Sequence, residues 1–438
     1  MQAWALVGSK QSRSLRSGDD IGAPSVPVCD LTAPGETLVR RPTPVMSWQG
    51  HLKSVLDLDE LVGTAQELIR CSSVNPPGDE EAVARVSARC LRQAGARDIT
   101  TITASKGRDS VIARWGKPGG RVLAWNGHTD VVPTADETQW RHPPFSALVA
   151  DGRLWGRGAT DMKGSIACVL QAFSMIARAG LELQGEIAIS LVGDEECGGL
   201  LGSGYLYEHG MLPRADAGIC GEPTGLDVVT TAQGRLWIEV TTFGTSAHAS
   251  QAELGDNAIK GMEKVLQAFE KQELVSESPA AGRHVVLTPT VIRGGDSPNS
   301  IPDCCTLTID CRFLPSEGAK FAREQIAHAV NGVRRDEGIR IEVAERACLD
   351  ASEIDPNSEI VCIVQEAVRI VSGRQSRVGM MRGATDARFL IAAGVPTVIV
   401  GPGNLGDAHS VDESVLLDDL VQGALVYAIT MCSFLGVC

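Results

Sequence analysis

The stretch Arg121–Pro133, RVLAWNGHTDVVP, runs from a short apolar segment directly into a histidine and an aspartate two positions apart. Its apolar part reads as a buried strand, and the glycine after it as the point where the backbone turns. A turn of that kind can aim His128 at a metal, while Asp130 accepts the other ring N–H and fixes the imidazole. A solvated loop can carry the same letters, so the reading rests on partners elsewhere in the chain.

Three further apolar runs end in the same manner. EIAISLVG (Glu186–Gly193) leads into Asp194, Glu195 and Glu196, and DAGICG (Asp216–Gly221) leads into Glu222. PTVIVG (Pro396–Gly401) precedes GDAHSVDE, which carries His409. Segments with helical spacing of apolar residues alternate with these runs, among them LDELVGTAQELIRC and GDEEAVARVSARCLRQAGA, the second with Asp79 as its expected cap. The pattern predicts an α/β fold with a sheet flanked by helices. In open sheets of this class, ligands collect beyond the carboxyl ends of the strands. Acidic or histidine-bearing loops at four strand ends therefore predict one shared site.

The part from about residue 231 to 346 has another rhythm. GRLWIEVTTFG alternates as a strand, and NAIKGMEKVLQAFEKQE is an amphipathic helix. Two strands, a helix and a last strand, IRIEVAE, follow. The order β-α-β-β-α-β is that of a split, ferredoxin-like α+β unit. It divides the chain into a catalytic domain in two parts, 51–230 and 347–438, with an insertion at 231–346. Residues 1–50 lack sustained periodicity and read as a flexible N-terminal extension, in which Met46 is a candidate start.

Composition narrows the function. With 40 basic against 54 acidic residues the net charge is −14, the wrong sign for a nucleic-acid backbone. No apolar run approaches the roughly 20 residues that span a bilayer. Thirteen scattered cysteines, with no C-x-x-C pair, fit reduced thiols and a cytoplasmic location.

The candidate metal ligands are His128, Asp161 in GRGATDMKGS, Glu196, Glu222 and His409. Two histidines and three carboxylates suit zinc or a similar divalent ion, and five ligands exceed what one zinc takes. If one carboxylate bridges, two ions can share the set and lower the pKa of a water between them. Glu195 and Glu196 are adjacent and point in different directions, so one can bind metal while its neighbour acts as general base. No G-x-S-x-G occurs to support a serine hydrolase, and Cys197 has no matching histidine arrangement.

Together these motifs resemble the acetylornithine deacetylase/succinyl-diaminopimelate desuccinylase family of zinc amidohydrolases, which includes glutamate carboxypeptidase and aminoacylase. The resemblance runs from about residue 55 to the C-terminus. It implies a zinc-peptidase-like catalytic sheet and a lid and dimerisation role for the insertion. It implies two zinc ions per subunit, replaceable by cobalt: one held by His128, Glu222 and a bridging Asp161, the other by Glu196, His409 and the same Asp161. Glu195 would be the acid/base catalyst, and Asp130 the group orienting His128. His248, in GTSAHASQAELGDNAI, would enter the partner subunit's site and stabilise the oxyanion of a homodimeric enzyme. Asn299 and Arg312, in NSIPDCCTLTIDCR, would bind the substrate carboxylate, and Gly383, in RGATDARF, would approach the substrate through its backbone. A cis Asp161–Met162 peptide is implied as well. The expected reaction is hydrolysis of an N-acyl amino acid. The alternatives are a carboxypeptidase or dipeptidase on peptide-like amides and an inactive metal-bound module, which would not require Glu195 and Asp130.

Overall fold

The structure is a computed structural model that describes residues 48–271 and 285–437. The N-terminal extension expected over residues 1–50 therefore lies outside the described residues, apart from the first residues of the helix Trp48–Ser54.

The four apolar runs form four neighbouring strands. Glu186–Val192, Val122–His128, Ala217–Cys220 and Thr397–Ile399 lie side by side in that order, every adjacent pair parallel. Parallel strands are covered on both faces, which is why these segments are continuously apolar. Their carboxyl ends open on one edge of the sheet, where His128, Glu195, Glu196 and Glu222 follow within a few residues. Antiparallel strands Arg97–Ser105 and Arg108–Gly116 extend the sheet on one side. Val228–Ala232, Ser352–Glu353 and Val378–Met381 extend it on the other.

Helices Gly164–Arg178 and Leu417–Leu435 pack together against the sheet and are buried over most of their surface. Trp125 from the central strand meets Tyr427 edge to face at 5.8 Å, and the Tyr427 hydroxyl donates to Val400 O at 2.9 Å. Helices Leu58–Arg70 and Glu81–Gln93 form where the spacing predicts them. The cap of the second differs from expectation. Glu80 occupies the N-cap position in place of Asp79, without a capping side-chain bond. Its carboxylate is buried and turned inward to Arg108, at 3.0 Å.

A second sheet orders its strands Val286–Gly294, Cys304–Phe313, Gly234–Phe243 and Arg340–Leu349, all antiparallel. Helices Ala258–Lys271 and Gly318–Glu337 cover one face, closing a separate core that includes Leu236, Ile238, Val240, Cys305 and Cys311. The last strand runs to Leu349, so this sheet continues three residues past the boundary drawn at 346. Among the described residues no helix is long and apolar enough to cross a membrane.

Candidate metal centre

Two ligand groups meet on one carboxylate. His128, Asp161 and Glu222 present one potential ligand atom each within 4.8 Å of one another, and so do Asp161, Glu196 and His409. The two oxygens of Asp161 divide between the histidines. Oδ1 lies 2.9 Å from His128 Nε2, and Oδ2 lies 3.3 Å from His409 Nε2. Glu196 Oε2 is 3.1 Å from His409 Nε2, and Glu222 Oε2 is 3.9 Å from His128 Nε2. Ligand atoms about 2.0–2.1 Å from a tetrahedral zinc stand about 3.3 Å apart. The four separations fall around that figure, so the donor set fits a pair of divalent ions sharing Asp161.

Electrostatics point the same way. Burial alone would lower the His128 pKa, yet Asp161 and Glu222 carry it well above its ordinary value. Asp161 and Glu196 raise His409 to about 10. Burial pushes Glu222 up to about 8, and with the nearby Glu222 charge it pushes Glu195 well above the usual carboxylate range. A buried cluster with more carboxylates than imidazoles requires positive charge. Protons meet that demand in part, whereas divalent ions meet it at all the groups at once.

Asp130 serves the site in a different way from the one its spacing suggests. His128 Nδ1 donates to the backbone carbonyl of Asp130 at 2.9 Å, while the carboxylate stands off at 3.6 Å. That carboxylate instead accepts the backbone N–H groups of Glu195 and Glu196, both at 3.2 Å, and Asn75 Nδ2 at 2.8 Å. The reason is positional: the turn after strand Val122–His128 lies beside the one after Glu186–Val192, whose free N–H groups need acceptors. Asp130 thus fixes the ring with its main chain and the two glutamates with its side chain.

Below this, Arg108 pairs with both Glu80 and Asp194, the residue that enters the glutamate turn with φ +70°. Asp194 in turn accepts Leu201 N at 2.8 Å.

Two more residues stitch the ligand loops together. Glu413 Oε1 accepts from the backbone of Gly158, Thr160 and Asp161 at 3.0–3.1 Å, and Oε2 pairs with Arg157 at 2.6 Å. Arg157 also donates to Ser410 O, beside His409, and to Pro133 O, in the loop after His128. One fully buried ion pair therefore touches the segments carrying His128, Asp161 and His409. Both letters stand inside quoted motifs, GRGATDMKGS and GDAHSVDE, but nothing in their spacing announces the pairing. The peptide between Asp161 and Met162 is cis, as the resemblance implies.

The remaining expected site residues do not join this cluster. His248 is exposed and bonded to Ser250 Oγ at 2.8 Å, without contact to any of the five ligands. Asn299, also exposed, lies next to it through the bond from Ala249 N to Asn299 O, at 2.9 Å. Arg312 is held by Asp310 at 2.6 and 3.1 Å and reaches Arg382 O at 3.4 Å, one residue from Gly383. A Cβ at Gly383 would meet open space, so no close packing demands glycine there.

With this geometry, similarity to known proteins becomes informative. The sequence pattern of the peptidase family M20/M25/M40 matches residues 124–432. A succinyl-diaminopimelate desuccinylase from Methylobacterium radiotolerans is 32% identical over 386 residues, which cover 84% of this chain and 95% of that protein. An N-formyl-4-amino-5-aminomethyl-2-methylpyrimidine deformylase from Halalkalibacterium halodurans is 30% identical, over 72% of this chain and 78% of the other. In fold, the chain is similar to the di-peptidase Dug1p from Saccharomyces cerevisiae. The TM-score is 0.72 at 16% identity, covering 87% of this chain and 98% of that one. By sequence and fold, the chain belongs to the peptidase family M20/M25/M40 and is one of its amide-cleaving metallohydrolases.

Proposed function

We propose that this protein hydrolyses the amide bond of N-acyl amino acids, of the acetylornithine or succinyl-diaminopimelate type, at a centre of two zinc ions. The observation that carries the reading is Asp161, which turns one carboxylate oxygen to His128 and the other to His409, with the charge of Glu195 close to His128 and Glu222. His128 and Glu222 would hold one ion, Glu196 and His409 the other, and Asp161 both. When bound, the ions polarise the substrate carbonyl and acidify the attacking water. Glu195 takes the proton of that water and later delivers it to the departing amine. Asp130 supports this step by fixing the backbone of Glu195 and Glu196.

In this reading the second sheet and its helices form a lid and dimerisation domain. Its exposed His248 supplies a donor to the oxyanion in the partner subunit's site, and Asn299 and Arg312 bind the substrate carboxylate. Eleven cysteines among the described residues are free thiols, which supports a cytoplasmic location.

The test is a panel of N-acetyl, N-succinyl, N-formyl and N-carbamoyl amino acids and dipeptides, assayed with zinc or cobalt. Turnover confined to one acyl class is expected, and hydrolysis of dipeptides alone would replace the deacylase reading with a peptidase. Mixing His248→Ala with Glu195→Gln protein should restore part of the activity, since one site of the mixed dimer then has both groups intact. Complete failure to complement after proven subunit exchange would remove the shared site.

A further inference from the structure

Arg235 is the second residue of strand Gly234–Phe243. Along that strand Leu236, Ile238 and Val240 turn into the small domain's own core, so Arg235 and Trp237 stand on the opposite face. Arg235 lies directly across from Arg312 on one neighbouring strand and from Leu349 on the other. Both neighbours reach the metal-binding half of the molecule. The Leu349 side chain packs on Gly198, where a Cβ would come within 3.1 Å of it, and Gly198 is three residues beyond Glu195. Arg312 donates to Arg382 O, beside Gly383. Arg235 is thereby placed at the wall that faces the glutamate turn.

Among the described residues its guanidinium has no ion-pair or hydrogen-bond partner. Two arginines in direct cross-strand register repel one another unless an anion lies between them. Two carboxylates act on Arg235 through their charge: Asp310 is taken by Arg312 in two bonds and by Trp237 Nε1 in a third, at 2.7 Å, and Glu195 stands in the glutamate turn that Arg235 faces without bonding to it. Arg235 makes no ion pair or hydrogen bond among the described residues, and its Nε is buried without an acceptor. Its guanidinium is nevertheless held in place, 4.1 Å over the Trp237 ring. A stacked, immobilised guanidinium with unused donors is a receptor for a planar anion, because its fork matches a carboxylate bidentately.

We infer that Arg235, together with Arg312, binds a carboxylate of the substrate and makes the enzyme selective for anionic amides. This rests on the deacylase reading above and adds a residue and a charge requirement to it. Burial and the adjacent Arg312 already lower the Arg235 pKa, a cost that a bound anion removes.

The experiment compares wild-type, Arg235→Met and Arg235→Lys proteins, zinc-loaded and full-length. The substrates are an N-succinyl amino acid, its N-acetyl counterpart and the C-terminal carboxamide of each. Removing the carboxylate that Arg235 holds should lower wild-type kcat/KM by about 10- to 100-fold, mostly through KM. Arg235→Met should lower the anionic substrate to the level of its neutral counterpart and leave the neutral one within about twofold. Arg235→Lys should recover part of the loss, since it keeps the charge without the fork. If the succinyl-to-acetyl comparison shows the coupling, the anion is on the acyl side; if the carboxamide comparison shows it, the anion is on the amino-acid side. Equal loss on all four substrates, or no loss on any, overturns the assignment.

Absence of wild-type turnover on every substrate would count against the deacylase reading and leave Arg235 to be judged by binding. Succinate titrated into wild type and Arg235→Met by calorimetry should then bind at least about tenfold more weakly to the variant. Equal affinity would overturn the inference.

Discussion

His128 and His409 face the same aspartate from opposite sides, and their surroundings could hardly differ more. The side chain of His128 is 1% exposed, whereas that of His409 is 51% exposed. His128 ends a strand with parallel neighbours on both sides, and its ring is pinned through Nδ1 to a backbone carbonyl. His409 sits in a turn with φ +61°, and its ring meets the carboxylates of Asp161 and Glu196. One half of the centre is built into the sheet. The other is assembled from turns that a buried ion pair, Arg157 with Glu413, holds in register. The sheet-borne half should therefore keep its shape without metal, while the turn-borne half should depend on it.

The largest effect expected spares both halves. Glu195→Gln should lower kcat by about 10²–10⁴-fold if this residue moves the proton. Zinc content by elemental analysis should stay at the wild-type level, because Glu195 is in neither ligand group. Loss of metal along with activity would transfer Glu195 from the chemistry to the ligand set.

Next come the histidines themselves. In metal-free protein, His128→Ala leaves Asp161 and Glu222 buried without their imidazole, a loss of about 3–5 kcal/mol for a broken buried pair. Urea unfolding should report it. His409→Ala removes a half-exposed group and should change apo stability by less than about 1 kcal/mol. Its effect should appear in zinc stoichiometry and in the disappearance of the faster of two phases during chelation. Equal destabilisation by the two substitutions would abolish the contrast between the halves.

Glu413→Gln sharpens the comparison at a smaller scale. Because Glu413 fixes the backbone of the shared Asp161, the substitution should weaken zinc binding in both halves by about 10–100-fold, the usual cost of losing a group that orients ligands. Weakening of one ion alone, measured by competition with a metallochromic chelator, would confine the Arg157–Glu413 pair to the His409 side.

The smallest effect lies beneath the sheet-borne half. Burial raises Glu80 from 4.5 to about 8, against the pull of Arg108. Its folded pKa lies above its unfolded one, so its contribution to stability is complete below about pH 4.5 and declines as pH rises toward 8. Glu80→Gln should flatten that part of the Tm profile. A wild-type and variant pair of parallel profiles would show that Glu80 stays ionised beside Arg108.

Much of this molecule could be read from its letters, for a definite physical reason. Parallel strands buried on both faces must be continuously apolar, and the groups that leave them must be polar. The segments RVLAWNG, EIAISLVG, DAGICG and PTVIVG therefore announced both the sheet and the edge where ligands gather. Asp161 became a candidate through its motif, and only the folded chain shows its two oxygens parted between two histidines.

Contacts across the fold followed no local pattern. Spacing paired the Asp130 side chain with His128, but the neighbouring turn claimed that carboxylate. Helix-capping rules favoured Asp79, whereas Glu80 took the position and turned inward to Arg108, a partner 28 residues away along the chain. Arg157 and Glu413 stand 256 residues apart in sequence and 2.6 Å apart in space. Nothing in the alternation of its strand marks Arg235; register sets it opposite Arg312, and it has no ion pair among the described residues. Periodicity and strand-end chemistry are local and survive in the sequence. Which buried charge meets which depends on how distant turns are brought together, and only the tertiary structure decides that.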